Sequence, residues 1–238
     1  MTTSEPVVAL VVAAGSGVRL GGEGPKALRP LAGRPLIRHA IEALVAGGVR
    51  RLVVTIREQD RALFTEALAD VEIPADVDVP VELVAGGAER QDSVRLGLSA
   101  LADSGARIVL VHDAARPLVP VGVVRAVIDA VAAGATAVVP GTAVVDSIRT
   151  VHDAGSTVVD RSTLVGVQTP QGFDLPTLIR GHDHVRQNGL AVTDDAAVCE
   201  LLGEPVTIVP GSREALKITE PVDLVIAEAL LAAREASS

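Results

Sequence analysis

The feature that most constrains this chain is an alternation of short apolar, β-branched runs with longer helical patterns. The runs are VVALVVAA (7–14), RRLVVTI (50–56), PVELVAG (80–86), RIVLVHD (107–113) and ATAVVPG (135–141). Several are apolar on both faces, as strands buried between two layers of helices must be. Between them lie PLIRHAIEALVAGG (35–48), QDRALFTEALAD (59–70), RQDSVRLGLSALADSG (90–105) and VGVVRAVIDAVAAG (121–134). Pro35 stands where a helix start tolerates it, and Gly47-Gly48 and Gly134 stand where helices stop. Alternation of this kind requires right-handed crossovers. It predicts a three-layer α/β/α, Rossmann-like fold with a mostly parallel sheet.

The alternation breaks at about 142. Two strand-like pieces, 144–151 and 156–160, are joined by HDAGS, a hairpin-type turn. Such an insert either extends the sheet or projects as an arm that pairs with a partner subunit. Helical patterns then resume at 175–187 and 194–202, followed by a strand at 205–209 and a last helix from Pro221 to about Arg234. With no internal repeat or linker composition, residues 1–238 read as one domain with a β-arm at about 142–168.

Composition excludes several functions. The net charge of −9 disfavours a nucleic-acid surface, which needs a basic face. Phe64 and Phe173 are the only aromatic residues, too few for base-stacking platforms. No stretch offers eighteen consecutive apolar residues, so no membrane span is expected. MTTSEP lacks the basic start of a secretory signal, and a single cysteine, Cys199, suits a reducing cytoplasm. Nineteen arginines accompany only two lysines, Lys26 and Lys217. In such a chain each lysine marks either a residual surface position or a place where a compact ammonium is required.

AAGSGVRLGGEGPK (13–26) follows the first predicted strand and resembles a phosphate loop. The dinucleotide fingerprint fails, because Leu20 stands where the third glycine belongs. The Walker template fails as well, because Pro25-Lys26-Ala27 replaces Gly-Lys-Ser/Thr. What remains is a long loop at the C-terminal end of a strand, where open α/β sheets bind ligands. Its glycines let backbone amides approach phosphate, and Arg19 and Lys26 add cationic donors. The alternative is a glycine-rich surface loop without a ligand.

Asp113 ends a buried run, so its carboxylate falls at the ligand edge of the sheet. It can contact Mg²⁺ or a ribose, or cap the following turn. Arg116 either contacts ligand or braces that loop, and His112 reads as structural. His182 and His184 are two apart and fall on different helix faces, which is poor spacing for a metal. KITEP places Lys217 just before the last helix, where an ammonium could join the helix dipole at a phosphate.

Taken in order, AAGSGVRLGGEGPKAL, GGAERQDSV (86–94), VHDAARP (111–117), VDRSTLVGVQTPQGF (159–173), TDDAAVCE (193–200) and ALKITEPVDL (215–224) resemble a known family. It is the 2-C-methyl-D-erythritol 4-phosphate cytidylyltransferases, a branch of the sugar-phosphate nucleotidylyltransferases, and the likeness covers essentially the whole chain. The resemblance implies transfer of a cytidylyl group from CTP to a sugar-alcohol phosphate in the non-mevalonate isoprenoid pathway, with Mg²⁺ or another divalent cation. It implies Arg19, Lys26 and Lys217 as catalytic cations, and Ala14, Gly15, Gly17, Gly87, Ser93 and Asp113 as nucleotide contacts, Asp113 also holding the metal. Arg116, Ser147 and Arg161 fall at acceptor positions, with Arg161 reaching the neighbouring subunit's substrate in a cytoplasmic homodimer. Ser147 replaces a usual threonine and keeps the hydroxyl. Ala88 stands where some members carry an acidic residue.

Three other functions remain open at this level: transfer to another polyol phosphate such as ribitol 5-phosphate, a catalytically silent nucleotide-binding subunit, and, more distantly, a dinucleotide-dependent oxidoreductase.

Overall fold

The computed structural model describes residues 6–15, 20, 24–69, 71 and 79–236. Gly17 and Arg19 of the glycine-rich loop lie outside the described residues.

The expected alternation is present. Strand β1 (Val7–Val12) leads through a two-residue hairpin, β2 (Pro30–Leu31) and β3 (Arg34–Pro35), into helix α1 (Leu36–Gly47). Then come β4 (Arg51–Ile56), α2 (Arg61–Leu68), β5 (Val81–Ala85), α3 (Arg90–Leu101), β6 (Ile108–Asp113) and α4 (Val121–Ala132). The second half holds β7 (Ala137–Ala143), β8 (Ile148–His152), β9 (Gly155–Val159), β10 (Val165–Val167) and β11 (Gln171–Asp174). It closes with α5 (Leu175–Gln187), α6 (Asp195–Glu200), β12 (Val206–Pro210) and α7 (Pro221–Glu235).

The main sheet runs β10-β7-β11-β6-β1-β4-β5, with β12 also paired to β7. The pairs β1–β4, β1–β6, β4–β5 and β7–β12 are parallel, and the antiparallel ones all involve β10 or β11. The sheet is therefore parallel around β1, where the glycine-rich loop emerges, and mixed beyond β6. The antiparallel β11 is inserted between β6 and β7, and its four residues, Gln-Gly-Phe-Asp, give no strand signal. Phe173 fixes the strand by burying its ring completely.

Period-two alternation separates the two faces of the sheet. Val7, Ala9 and Val11 of β1 join Ile41, Leu44, Phe64, Val124 and Val127, a core made with α1, α2 and α4. Val8 and Leu10 join Val94, Leu98, Phe173, Leu178 and Val198, a core made with α3, α5 and α6. These are the outer layers of an α/β/α sandwich. Helix α3 lies close on β1, because Gly97 has no side chain there. A Cβ at that position would fall 2.3 Å from Leu10 Cδ1.

A third, smaller cluster unites Leu20, Leu31, Leu36, Leu118, Ile218 and Ala227. It fastens the glycine-rich loop, the small hairpin and α7 to one another. The arm is a separate two-stranded antiparallel sheet, β8–β9, projecting from the main one. Its turn is tighter than the expected HDAGS: His152 pairs with Gly155, whose φ of 138° only glycine adopts readily.

Candidate active site

The C-terminal ends of four adjacent parallel strands meet at one edge. In spatial order they deliver Gly86-Gly87 after β5, Arg57 after β4, Ala13 to Gly15 after β1, and Asp113 at the end of β6. A cavity of about 620 Å³ opens there. Ala14, Gly15, Lys26, Gly87 and Ser93 line it, as do Asp113 and Lys217. Residues from six separate stretches of the chain are thus gathered at the sheet edge where open α/β folds bind ligands.

One side of the cavity is an uncharged glycine turn. Gly87 N–H donates to Ser93 Oγ at 3.1 Å, and that hydroxyl donates to the Glu89 carbonyl at 3.1 Å. The glycines are required by contact: a Cβ on Gly86 would sit 2.7 Å from Ser93 Oγ, and one on Gly87 2.3 Å from Asp92 Cβ. The serine hydroxyl therefore shapes the turn from beneath.

The other side is ionic. Lys217 Nζ lies 2.6 Å from Asp113 Oδ2, and Arg90 Nη2 approaches Asp113 Oδ1 at 3.6 Å. Burial pushes the Asp113 carboxyl up, but Lys217 and Arg90 outweigh it and hold the group at about 2. Asp113 is an anion at any pH where the protein works. Burial also pushes Arg90 down, which Asp195 and Asp113 more than offset, so its guanidinium is held above its ordinary value.

The loop bearing Asp113 is stapled by a neutral histidine. His112 Nε2 faces the Arg116 carbonyl at 3.2 Å, so that nitrogen bears the proton and donates. Nδ1 then accepts from the Thr169 hydroxyl at 3.1 Å, whose oxygen in turn accepts the Asp113 amide at 3.0 Å. Burial holds the imidazole down at about 4. His112 is structural, as its place in the sequence suggested.

Arg116 braces: Nη1 donates to the Ala215 carbonyl at 2.7 Å, two residues before Lys217. Ile218 N–H donates to the Ala115 carbonyl at 2.8 Å, tying the two loops again. The N-terminus of α7 carries a capping box. Asp223 accepts from the amides of Thr219 and Glu220 at 2.7 and 2.8 Å, so a carboxylate already occupies that helix end. Lys217 lines the cavity with its ammonium against Asp113.

Ser147 and Arg161 lie on the arm, exposed and apart from the cavity lining, with Arg161 donating to the Val145 carbonyl. His182 is buried against Asp195 and His184 is on the surface, so the pair makes no metal site. No group of three or more His, Cys, Asp or Glu side chains that could hold an ion occurs among the described residues. Cys199 is buried, and burial pushes its thiol up to about 12, so it is inert.

Sequence reasoning missed Arg57 and Arg90, both of which line the cavity. Arg90 was within reach, since it sits inside GGAERQDSV. Arg57 follows a strand whose end abuts the loop of β1, a neighbour relation visible only in the sheet.

The family model described as IspD, 2-C-methyl-D-erythritol 4-phosphate cytidylyltransferase, matches residues 7–233. Proteins of that name from Streptomyces avermitilis and Saccharopolyspora erythraea are each 49% identical to this chain. The first match covers 95% of this chain and 92% of the relative, the second 95% and 99%. Among solved structures, the enzyme of that name from Thermus thermophilus superposes with a TM-score of 0.75 at 36% identity, covering 94% of this chain and 98% of the other. The 4-diphosphocytidyl-2C-methyl-D-erythritol synthase of Anaerococcus prevotii gives 0.81 at 26% identity, covering 95% and 98%.

Proposed function

The chain belongs to the 2-C-methyl-D-erythritol 4-phosphate cytidylyltransferase family, and from that premise we infer how its own residues carry the reaction. It transfers a cytidylyl group from CTP to 2-C-methyl-D-erythritol 4-phosphate, in the non-mevalonate route to isoprenoid precursors. A phosphate oxygen of the acceptor attacks the α-phosphorus in line. The bond from that phosphorus to the bridging oxygen breaks, and pyrophosphate leaves with the bonding pair. The attacking oxygen is already anionic near neutral pH, so no general base is needed. Catalysis is alignment and charge neutralisation.

The observation that supports this best is the polarity of the cavity. Lys26, Arg57, Arg90 and Lys217 line the cavity together with Asp113, and the glycine turn after β5 lies two strands from β1. Neighbouring strands are about 4.8 Å apart, so a nucleotide laid across the edge spans both ends. The triphosphate then meets Lys26 and Lys217, with Arg19, the other cation of the glycine-rich loop, as the third. The base meets Ala14, Gly15 and Gly87, where close-approach backbone admits a pyrimidine and excludes a larger purine. With Ala88 small, base recognition falls to backbone groups.

A divalent cation fits this site in one manner. Asp113 is a single, fully ionised carboxylate at the ionic end, and Mg²⁺ commonly takes one or two carboxylates with phosphate oxygens and water. Asp113 would hold an ion that arrives with the triphosphate. When bound, it would supply further neutralisation of phosphate charge.

The arm makes the protein a homodimer with shared sites. Val145, Val151 and Val158 are 57, 81 and 70% exposed, and the β8–β9 register puts Val151 and Val158 on one face of the arm, which a partner would cover. Ser147 and Arg161 then serve the acceptor of the neighbouring subunit, while Arg116 holds the Lys217 loop at the acceptor side. No helix of the described residues is long and apolar enough to cross a membrane. A lone buried thiol and soluble anionic substrates suit the cytoplasm.

The test is pyrophosphate release with CTP, UTP, ATP and GTP against 2-C-methyl-D-erythritol 4-phosphate and ribitol 5-phosphate. Release with CTP and the first acceptor is expected. Preference for ribitol 5-phosphate, or no release with either, would overturn the assignment.

A further inference from the structure

Four charged groups form an alternating row from the cavity into the core. Lys217 contacts Asp113 at 2.6 Å, Asp113 faces Arg90 at 3.6 Å, and Arg90 Nη1 reaches Asp195 Oδ2 at 2.8 Å. His182 closes the inner end, its Nε2 lying 3.2 Å from Asp195 Oδ1. Asp195 is only 1% exposed and does not line the cavity, so it touches neither solvent nor substrate.

Arg90 is therefore shared between two carboxylates. The deeper one holds it in full contact, and the cavity carboxylate stands off by a further 0.8 Å (3.6 against 2.8 Å). Burying a carboxylate this deep is costly unless a cation lies beside it. Its place is also rigid. Asp194, its neighbour, accepts from the Ala197 amide at 3.0 Å and from Gln171 Nε2 at 2.9 Å, which locks the start of α6 to β11. Gln91, next to Arg90, accepts from the Val192 amide and donates to the Leu190 carbonyl, both at 3.3 Å, which docks the first turn of α3 on the same segment.

We propose that Asp195 is a positioning residue for the transfer, holding the Arg90 guanidinium back so that Asp113 remains available to Lys217 and the nucleotide. This deepens the functional reading above and rests on it. Without the Asp195 charge, Arg90 has Asp113 as its nearest remaining carboxylate. The two would close into direct contact, and Asp113 would turn from Lys217.

Asp195→Asn preserves shape and removes the charge. Outer partners that orient a binding group typically contribute about 10- to 100-fold. The variant should lose that much in kcat/KM, and CTP affinity measured by calorimetry without acceptor should weaken in parallel. The route is read from a double-mutant cycle. If Asp195 acts through Arg90, Arg90→Gln/Asp195→Asn binds CTP no worse than Arg90→Gln alone. A folded Asp195→Asn with wild-type affinity and turnover overturns the proposal, and so do losses that simply add. Should Asp195→Asn fail to fold, Arg90→Lys replaces it, because one ammonium cannot hold both carboxylates in a fork. Wild-type turnover in that variant is equally fatal. Calorimetry with CTP alone decides the positioning role, whereas absence of pyrophosphate release in the wild type counts against the functional reading.

Discussion

The Thr169 hydroxyl donates to His112 Nδ1 across 3.1 Å, joining two residues 57 positions apart at the root of the site. Its oxygen also accepts the Asp113 amide, so one side chain fixes both a ring and a backbone. Thr169→Val keeps the shape and removes both bonds, leaving a buried imidazole nitrogen and an amide unpaired. Such groups cost about 1–3 kcal/mol each. Urea unfolding should show a loss of at least that size, with kcat falling as Asp113 loses its anchor.

Lys26 and Lys217 are the compact cations of the cavity. Removing one donor aimed at developing charge commonly lowers kcat by about 10²–10³. Lys26→Ala and Lys217→Ala should each fall in that range while keeping the wild-type circular dichroism spectrum. Near-wild-type turnover in Lys26→Ala would sink the mechanism.

Acid stability has two windows. His112 is held at about 4 against an ordinary 6.5, with Asp113 and Arg116 as its charged neighbours. The unfolded chain takes up this proton first, so the contribution of His112 is full above 6.5 and fades as pH falls toward 4. A depression of that size corresponds to about 3 kcal/mol. Asp113, held at about 2 against 3.8, adds a loss that sets in only below 3.8. Urea midpoints should hold from pH 7.5 to about 6.5 and then fall toward pH 4, and His112→Gln should flatten that fall while lowering the plateau.

Gly87→Ala tests the glycine end. The new methyl would lie 2.3 Å from Asp92 Cβ, so the first turn of α3 must shift. Overpacking of this kind costs about 1–3 kcal/mol. CTP affinity, followed by calorimetry, should drop more than affinity for pyrophosphate, which uses only the ionic end.

The arm can be tested without touching the cavity. Val151→Asp together with Val158→Asp places charges on that exposed face and leaves the sandwich core intact. Sedimentation should show the wild type as a dimer and the variant as a monomer. Turnover should fall with dissociation, since Arg161 would no longer reach a neighbouring site. A monomeric wild type with full activity would remove the arm's role.

Much of this was legible in the chain because local patterns and global structure agree. The strands around β1 announce themselves by β-branched runs, and Lys26, Asp113 and Lys217 are found where their motifs place them. What stayed hidden depends on pairing at long range. β11 is too short and too polar to signal a strand, and only Phe173 packing and two neighbours make it one. Arg90 and Asp195 lie more than a hundred positions apart, so nothing local ties them. The capping box at α7 was not read from the sequence: Asp223, two residues past Pro221, accepts from the amides of Thr219 and Glu220.

The cluster of Leu20, Leu31, Leu36, Leu118, Ile218 and Ala227 has a mechanical consequence. Leu20 of the glycine-rich loop and Ile218, next to Lys217, share this one apolar footing, so a disturbance there reaches both loops. A truncation such as Ile218→Ala would misalign two ammonium groups at once while deleting neither.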